Sequence, residues 1–390
     1  MSRNVSKVSK IALALSALAI VSACQDALAP IATDASSFEQ PNLRASKENK
    51  PERELVKDQY IVVFRDGYND VDARSTKLMK GNKDKIKHAF KAGIKGFVGE
   101  MTAEEASAMA NDASVAYVEQ DQVITLGVGK PVSGDSPTAS KPRGKPVPVA
   151  PGTVTQTPVP SWGIDRIDQS ASLLNNSYTY TATGAGVNAY IIDSGIRISH
   201  ADFEGRATAD FTVINDGYGA IGCNFHGTHV AGTVGGKQAG VAKNVLLHSV
   251  RVLDCNNAGT TGGLAAGLDW VIANRVNPAV VNVSIGAGSS QFLMDAVNRA
   301  IDAGLTVVVA AGNSSGDACS YSPSNVANAI TVGSSTMLDE VSGSSNQGAC
   351  VDLMAPGQYI FSASNADDIS YIYSNGTSMA APHVTGAAAI

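Results

Sequence analysis

Short apolar runs alternate with helical patterns along the second half of the chain. The runs predict strands at Gly186 to Ile192, Val245 to Leu253, Ala279 to Ile285 and Leu305 to Ala310. Helical spacing predicts helices from about Thr261 to Asn274 and from about Phe292 to Ala303. Near-continuous apolar runs are typical of parallel strands, which are buried on both faces. The pattern therefore predicts an α/β fold, a mostly parallel sheet with helices on both faces.

Residues 52–126 carry a different pattern, which predicts a small α+β domain. Strands are expected at Tyr60 to Phe64, Phe97 to Val98 and Val115 to Val118, and helices at Lys83 to Lys91 and Thr102 to Asn111. Thr102 with Glu105 three residues later matches a capping box, which begins a helix.

Two stretches without periodicity separate these parts. Residues 25–51 are polar and predict a flexible spacer. Residues 127–160 hold 8 of the 15 prolines, which predicts an extended linker before a domain at 161–390. Because the chain ends at Ile390, soon after a helix begins near Ser378, that domain is expected to be incomplete at its C-terminus.

The first 24 residues have the layout of an export signal. Arg3, Lys7 and Lys10 precede the uncharged apolar run Ile11 to Ala23, which is shorter than the about 20 residues of a membrane span. The small residues before Cys24 resemble a bacterial lipoprotein signal, in which that cysteine is lipidated. The alternative is ordinary cleavage nearby, with Cys24 discarded or free.

Composition and charge argue against two classes of protein, disordered chains and nucleic-acid binders. The hydrophobic fraction of 44% supports a sizeable core, and charged residues make up only 16%, which argues against a disordered chain. The net charge of −6 argues against nucleic acid as a partner. Residues 161–390 carry a net charge of −9 and residues 1–160 a net charge of +3, which indicates that the two parts are separate structural units.

Candidate catalytic side chains follow the ends of predicted elements. Asp193 ends a strand, His226 and His229 lie three apart in HGTHVAG, Asn313 follows a strand, and Ser378 begins a helix. Each has an ordinary interpretation, as a turn cap, a structural histidine, a loop residue or an N-cap. The two histidines lack the glutamate of a zinc protease motif.

The combination of motifs is more specific than any member. The strings DSG, HGTHVAG, AAGN and GTSMAAPH, in the order Asp, His, Ser, resemble the subtilisin family of serine proteases, close to its proteinase K and aqualysin branch. Residues 52–126 resemble the inhibitory propeptide of that family through YIVVF and AYVEQD. The string GTSMA differs from the G-x-S-x-G elbow of α/β-hydrolases at Ala380, which disfavours an esterase.

The resemblance implies roles for individual residues. Ser378 would be the nucleophile, His226 its base and Asp193 the group that orients the base. Asn313 would donate to the oxyanion together with the Ser378 N–H, and His229 would be structural. Phe225 stands where the family usually has glycine.

The resemblance also implies a substrate cleft, two disulfides and calcium. Polypeptide substrates would bind as an added strand, at a set formed by Leu253, Asn257, Ala258, Gly259, Ser284, Ile285, Gly286, Ala310, Ala311 and Gly312. Four cysteines allow three pairings, and the family pattern implies Cys223–Cys255 and Cys319–Cys350. One implied calcium site uses Asp352, Ala327 and Ala329, and a second uses Asp165, Asp168, Gln169 and Asn175. No cofactor is implied for catalysis itself.

These observations predict a secreted, monomeric serine endopeptidase made as an inhibited precursor. The propeptide would inhibit the enzyme within the same chain and be removed by self-cleavage near residues 150–158. A lipid on Cys24 would stay with the propeptide. The alternative is a catalytically inactive lipoprotein that uses a protease-like domain for binding.

Overall fold

The computed structural model describes residues 53–126 and 152–390. Six elements build the first of these two parts. They are β1 (Leu55–Phe64), α1 (Val71–Leu78), β2 (Ile86–Phe90), β3 (Gly96–Glu100), α2 (Ala103–Ala110) and β4 (Val115–Thr125). We call residues 53–126 the N-terminal domain and residues 152–390 the C-terminal domain. The predicted signal, the spacer, Cys24 and most of the linker lie outside the described residues.

One predicted helix of the N-terminal domain is wrong. Lys83–Lys85 forms a single 3₁₀ turn, and the chain then continues as strand β2 instead of a helix to Lys91. The lysines favour a helix locally, but the segment pairs with β3, with a register shift between Ile86 and His88. Apolar side chains are thereby buried on both faces of the sheet, because Ile86 packs in the cluster of Phe97 and Phe90 packs in the cluster of Phe292. Helix α2 does begin with the predicted capping box of Thr102 and Glu105.

The C-terminal domain contains fourteen strands and five helices. The strands are β5 (Val154–Gln156), β6 (Tyr178–Tyr180), β7 (Asn188–Asp193), β8 (Ala207–Thr212), β9 (Leu246–Arg251), β10 (Ala258–Thr260), β11 (Ala279–Val283), β12 (Ala287–Gly288), β13 (Thr306–Ala310), β14 (Tyr321–Ser322), β15 (Ile330–Ser335), β16 (Leu353–Pro356), β17 (Ile360–Ala363) and β18 (Tyr371–Ser374). The helices are α3 (Trp162–Ile167), α4 (Phe225–Gly235), α5 (Thr261–Asn274), α6 (Gln291–Asp302) and α7 (Thr377–Ala388).

A sheet of seven parallel strands forms the centre of this domain, in the order β16-β15-β13-β11-β7-β9-β8. Two apolar clusters cover its faces. Helices α5 and α6 contribute to one cluster and α4 and α7 to the other. Since parallel strands expose their carboxyl ends at the same edge, the residues that follow β7, β11 and β13 are brought together there.

The N-terminal domain packs directly against this scaffold. Its strand β4 pairs with β10 of the C-terminal domain, so that one five-stranded sheet, β10-β4-β1-β3-β2, crosses the boundary. Phe90 of β2 packs against Phe292 of α6 with ring centroids 5.2 Å apart. The two domains thus share a continuous apolar core, which includes Ile61 and Ile124 of the first domain.

Candidate active site

Asp193 and His226 form a buried pair at the carboxyl edge of the parallel sheet. Asp193 is the last residue of β7, and His226 is the second residue of α4. The His226 Nδ1 lies 2.8 Å and 3.0 Å from the two carboxylate oxygens of Asp193. The side chain of Asn224 accepts the His226 backbone N–H and so begins helix α4 at this point. The carboxylate therefore fixes the Nδ1–H tautomer and leaves Nε2 for a substrate or a nucleophile.

Ser378 lies at the start of helix α7, where backbone N–H groups favour negative charge. Gly376 precedes the helix with φ of 133°, a conformation that glycine adopts freely. The Ser378 Oγ donates a hydrogen bond to the backbone oxygen of Ser284 at 3.0 Å. The Nε2 of His226 is buried and has no hydrogen-bond partner among the described residues.

Asn313 is held in one orientation by Thr377. Its Oδ1 accepts from the Thr377 backbone N–H at 2.8 Å and from the Thr377 hydroxyl at 3.1 Å. Because the oxygen is occupied, the amide Nδ2 is the end left to donate into the cleft that Asn313 and Ser378 line. Such a fixed donor beside a helix N-terminus suits a developing oxyanion.

A cleft of about 290 Å³ is lined by Asn313 and Ser378 together with most of the expected substrate-binding residues. Ser284, Ile285 and Gly286 line one side, and Ala310, Ala311 and Gly312 line another. Leu253 differs from that expectation, since its side chain is fully buried in the core and is not among the residues that line the cleft.

The remaining expected edge is occupied by the N-terminal domain. Ala258 and Gly259 of β10 pair in antiparallel register with Thr125 and Ile124 of β4. The Leu126 N–H continues the pairing by donating to the Asn257 carbonyl at 3.1 Å. The end of the N-terminal domain therefore lies along the cleft as an added strand, the way a peptide would.

Two acidic side chains of β4 extend this contact, and neither was predicted from the sequence. Asp121 accepts from Thr261 Oγ1 at 2.7 Å and from the Gly262 N–H at 2.9 Å, at the start of α5. Glu119 accepts from Ser290 Oγ at 2.5 Å and from the Phe292 N–H at 3.1 Å, at the start of α6. Carboxylates are stabilising at helix N-termini. Both residues follow the predicted strand Val115 to Val118, and their spacing of two residues, which puts both on one face of a longer strand, was the available signal.

A third carboxylate at this contact belongs to the C-terminal domain and binds the backbone of the N-terminal domain. Asp269 of α5 accepts three backbone N–H groups of the N-terminal domain, from Lys91, Ala92 and Gly93, at 2.9, 2.8 and 2.7 Å. Tyr117 also donates to Asp295 of α6 at 2.6 Å. The contact between the domains is therefore polar around its apolar centre.

Both disulfides implied by the family pattern are present. Cys223 is bonded to Cys255, and Cys319 to Cys350. The first joins the loop that precedes His226 to the loop that follows β9. Arg251 supports the same region, because its guanidinium bonds both carboxylate oxygens of Asp216 at 2.7 and 2.5 Å.

His229 and His383 are buried histidines with structural contacts. The His229 Nε2 bonds the Ile360 carbonyl at 3.0 Å, and the His383 Nδ1 bonds the Met379 carbonyl at 2.9 Å. Burial lowers the pKa of His229 to about 3 and the pKa of His383 to about 4, so both are neutral near pH 7. The Phe225 ring stands edge-on to the rings of His226 and His229. Its centroid lies 6.4 Å from that of His226 and 6.5 Å from that of His229.

The residues expected to bind calcium differ in whether their oxygen atoms are already hydrogen-bonded. Asp168 has a buried carboxylate oxygen without a partner among the described residues, and burial raises its pKa to about 6. Asp165 instead accepts the Asn175 and Asn176 N–H groups. Gln169 donates to the Leu173 carbonyl, and the Asn175 Oδ1 accepts from Ser177. At the other expected site, Asp352 accepts the Thr331 N–H at 2.8 Å and is exposed.

Comparison with known proteins agrees with this geometry. Residues 184–390 match the subtilase family model, and residues 59–127 match the peptidase inhibitor I9 model. The chain is 46% identical over 306 residues to the extracellular serine proteinase of Thermus sp. (strain Rt41A), covering 78% of this chain and 68% of that protein. It is 40% identical over 350 residues to alkaline serine exoprotease A of Vibrio alginolyticus, covering 87% of this chain and 61% of that protein.

A solved structure supports the same relationship. The crystal structure of a cold adapted subtilisin-like serine proteinase shares 50% identity and a TM-score of 0.57, covering 58% of this chain and 83% of that one. The chain thus spans about two thirds of the length of the first relatives that it matches. The inactive lipoprotein considered above gains no support from relatives that are named as proteinases. The chain belongs to the subtilase family of serine peptidases and carries an inhibitor I9 propeptide.

Proposed function

We propose that this chain is a secreted serine endopeptidase precursor that hydrolyses peptide bonds through Asp193, His226 and Ser378. The observation that carries the proposal is strand β4, which pairs with β10 beside the cleft that Ser378 lines. A polypeptide segment thus already lies at the proposed site in the manner of a substrate.

The geometry supports the sequence of steps that serine peptidases use to hydrolyse a peptide bond. The Ser378 Oγ attacks the scissile carbonyl carbon while the His226 Nε2 takes its proton. The Asn313 Nδ2 and the Ser378 N–H bind the resulting oxyanion. His226 then gives the proton to the leaving amine, and a water molecule activated by His226 hydrolyses the acyl-enzyme. Because catalytic hydrogen bonds commonly tighten only when substrate is bound, the Ser378 hydroxyl is expected to leave the Ser284 carbonyl at that stage.

Residues 53–126 act as the propeptide that inhibits the enzyme within the same chain. The paired strand, the shared apolar core and the carboxylates at the starts of α5 and α6 support this role. Self-cleavage near residues 150–158 then separates the propeptide and linker from the mature peptidase domain, which is expected to be monomeric. Strand β5, which pairs with β6, would stay with the mature domain as its N-terminal strand when the cut precedes Val154.

A Ser378→Ala variant tests nucleophile and processing together. The full chain with this change is expected to accumulate as the unprocessed precursor of about 40 kDa. A serine-directed fluorophosphonate is expected to label the processed wild-type protein and not the variant. Unchanged processing of the variant would contradict self-cleavage, and a processed wild-type protein that resists labelling would favour the inactive alternative.

Export, with a lipid on Cys24 in the precursor, completes the proposal. Within residues 53–126 and 152–390, no helix is long and apolar enough to cross a bilayer. The basic and apolar leader and the extracellular serine proteinase of Thermus support export. Metabolic labelling with a fatty-acid analogue tests the lipid, with Cys24→Ser as control. A labelled C24S precursor would contradict lipidation at this cysteine.

Structural calcium is proposed on the free oxygen of Asp168, with Asp165, Gln169 and Asn175 around it, and at Asp352 with the carbonyls of Ala327 and Ala329. A bound cation would neutralise the buried Asp168 carboxylate and hold the loop around it. Calcium is expected to raise the thermal midpoint of the wild-type protein, and Asp168→Asn to reduce that increase. An equal increase in wild type, Asp168→Asn and Asp352→Asn would contradict both sites.

A further inference from the structure

A buried chain of hydrogen bonds runs from Thr385, near the end of α7, back to Ser378 at the start of the same helix. The Thr385 Oγ1 donates to the Asn282 Oδ1 at 2.8 Å. The Asn282 Nδ2 donates to the Ser284 Oγ at 2.8 Å. The Ser284 Oγ in turn donates to the Ser378 carbonyl at 3.0 Å. All four residues are at most 3% exposed, so water does not compete for these groups.

Pro382 explains why the Ser378 carbonyl needs this partner. In an α-helix the carbonyl of residue i accepts the N–H of residue i+4. Pro382 stands four residues after Ser378 inside α7 and has no N–H to donate. The Ser284 hydroxyl takes the place of that missing donor. The Ser378 Oγ meanwhile donates to the Ser284 carbonyl, so two reciprocal bonds join the two serines.

The Ser378 carbonyl fixes the direction of the bonds that lead to it. A carbonyl only accepts, so the Ser284 hydroxyl must donate its proton to the Ser378 carbonyl and accept from Asn282. Asn282 can donate to Ser284 only when its amide nitrogen points that way, and the Thr385 hydroxyl holds the amide oxygen on the opposite side. Without the Thr385 hydroxyl the amide can flip. The Ser284 hydroxyl would then donate to the Asn282 oxygen and leave the Ser378 carbonyl unpaired.

We propose that Thr385 and Asn282 are positioning residues for the Ser378 nucleophile, acting through Ser284. They touch no reacting atom. They hold the first turn of α7, which carries both the nucleophilic Oγ and the backbone N–H that binds the oxyanion. The inference rests on the proposed function, because it assigns a purpose to the bonds around Ser378 only if Ser378 reacts.

Thr385→Val is the central test, because valine keeps the shape and removes only the hydroxyl. Thr233→Val is the matched control. Thr233 is also buried on a helix, and its hydroxyl bonds the carbonyl four residues earlier, that of His229, at 3.1 Å. Thr385 likewise lies 3.2 Å from the carbonyl four residues earlier, that of Ala381, but its single proton is directed to Asn282 at the shorter distance of 2.8 Å. Each variant therefore loses one buried hydroxyl and the one hydrogen bond that it donates. Only T385V loses the connection to Ser378.

For T385V we expect kcat on a peptide amide to fall about tenfold, since small misplacements of reacting groups are costly, with KM within about twofold of wild type. The rate of fluorophosphonate labelling at Ser378 is expected to fall in proportion. Thr385→Ser, which restores the hydroxyl, is expected to recover kcat to within about twofold of wild type. T233V is expected to lower the thermal midpoint as much as T385V and to leave kcat unchanged.

The outcomes separate this inference from the function on which it rests. Wild-type labelling at Ser378 with equal kcat in T385V and T233V overturns the positioning role alone. A loss of kcat in T385V that T385S does not recover also overturns it. A wild-type protein that is not labelled at Ser378 overturns the proposed function and this inference with it. If T385V does not fold, Thr385→Ala with Thr233→Ala as control repeats the comparison.

Discussion

The carboxylate of Asp121 in the propeptide accepts the backbone N–H of Gly262 in the peptidase domain, at a distance of 2.9 Å. Asp121 is fully buried and also accepts from Thr261 at 2.7 Å and from Gln59 at 2.7 Å. The bond places a negative charge at the N-terminus of α5, where the helix dipole stabilises it. One propeptide side chain thereby pairs a backbone N–H in the first turn of a peptidase helix.

Replacing Asp121 by Ala is therefore expected to weaken the propeptide complex. Hydrogen bonds to charged groups contribute about 1.5–3 kcal/mol each, so release of activity after processing should be at least about tenfold faster. The measurement is the time course of peptidase activity in the processed, non-covalent complex. Asp66→Ala is the control, because Asp66 pairs with Arg299 at the exposed rim and such pairs contribute little. Equal effects of the two variants would contradict the capping role.

Replacing Asn313 by Leu is expected to lower kcat by about 10²- to 10³-fold, which is the loss measured in subtilisin when its oxyanion-binding asparagine is removed. KM should change little, because the proposed role of the Nδ2 donor is to bind the oxyanion of the transition state. Asn313→Asp places a carboxylate in the same position and should lose at least as much activity through repulsion. Steady-state kinetics on a peptide amide measures both. A leucine variant with wild-type kcat would show that Asn313 does not serve the oxyanion.

The two disulfides provide a matched pair of variants. They close loops of similar length, with sequence separations of 32 and 31 residues, so removing either should cost a similar roughly 3–4 kcal/mol of unfolding free energy. Only Cys223 belongs to the loop that leads into His226. Cys223→Ser with Cys255→Ser should therefore lower kcat more than Cys319→Ser with Cys350→Ser. Denaturant unfolding and kinetics decide this, and equal kcat values for the two double variants would contradict it.

The buried histidines predict a loss of stability in acid. Burial holds the pKa of His229 at about 3 and that of His383 at about 4 in the folded state, below the ordinary value of 6.5. Between about pH 4 and pH 6.5 the unfolded chain binds protons that the folded chain excludes, so the free energy of unfolding falls as the pH falls. His383→Gln should flatten this dependence by up to about 1.4 kcal/mol per pH unit. Denaturant titrations across this range measure the slope, and an unchanged slope would contradict the prediction.

Local patterns in the sequence determined a large part of the C-terminal domain. The predicted helix from Thr261 to Asn274 has the same bounds as α5, and the apolar runs at Ala279 and Leu305 became β11 and β13. These elements were predictable because burial on both faces imposes a continuous apolar pattern that a single segment displays. The family was likewise predictable from short strings around Asp193, His226 and Ser378.

Only the tertiary structure decided the features that depend on contacts between distant segments. Strand β2 replaced a predicted helix because it pairs with β3 and packs Phe90 on Phe292. The pairing of β4 with β10 and the bond from Asp121 to Gly262 join residues more than a hundred positions apart. Nothing in either segment alone specifies its partner, because a hydrogen bond or an apolar contact depends on the position of both groups in space. The sequence by itself thus determined the family, the main elements and the proposed catalytic residues, whereas folding decided which side chains hold them in place.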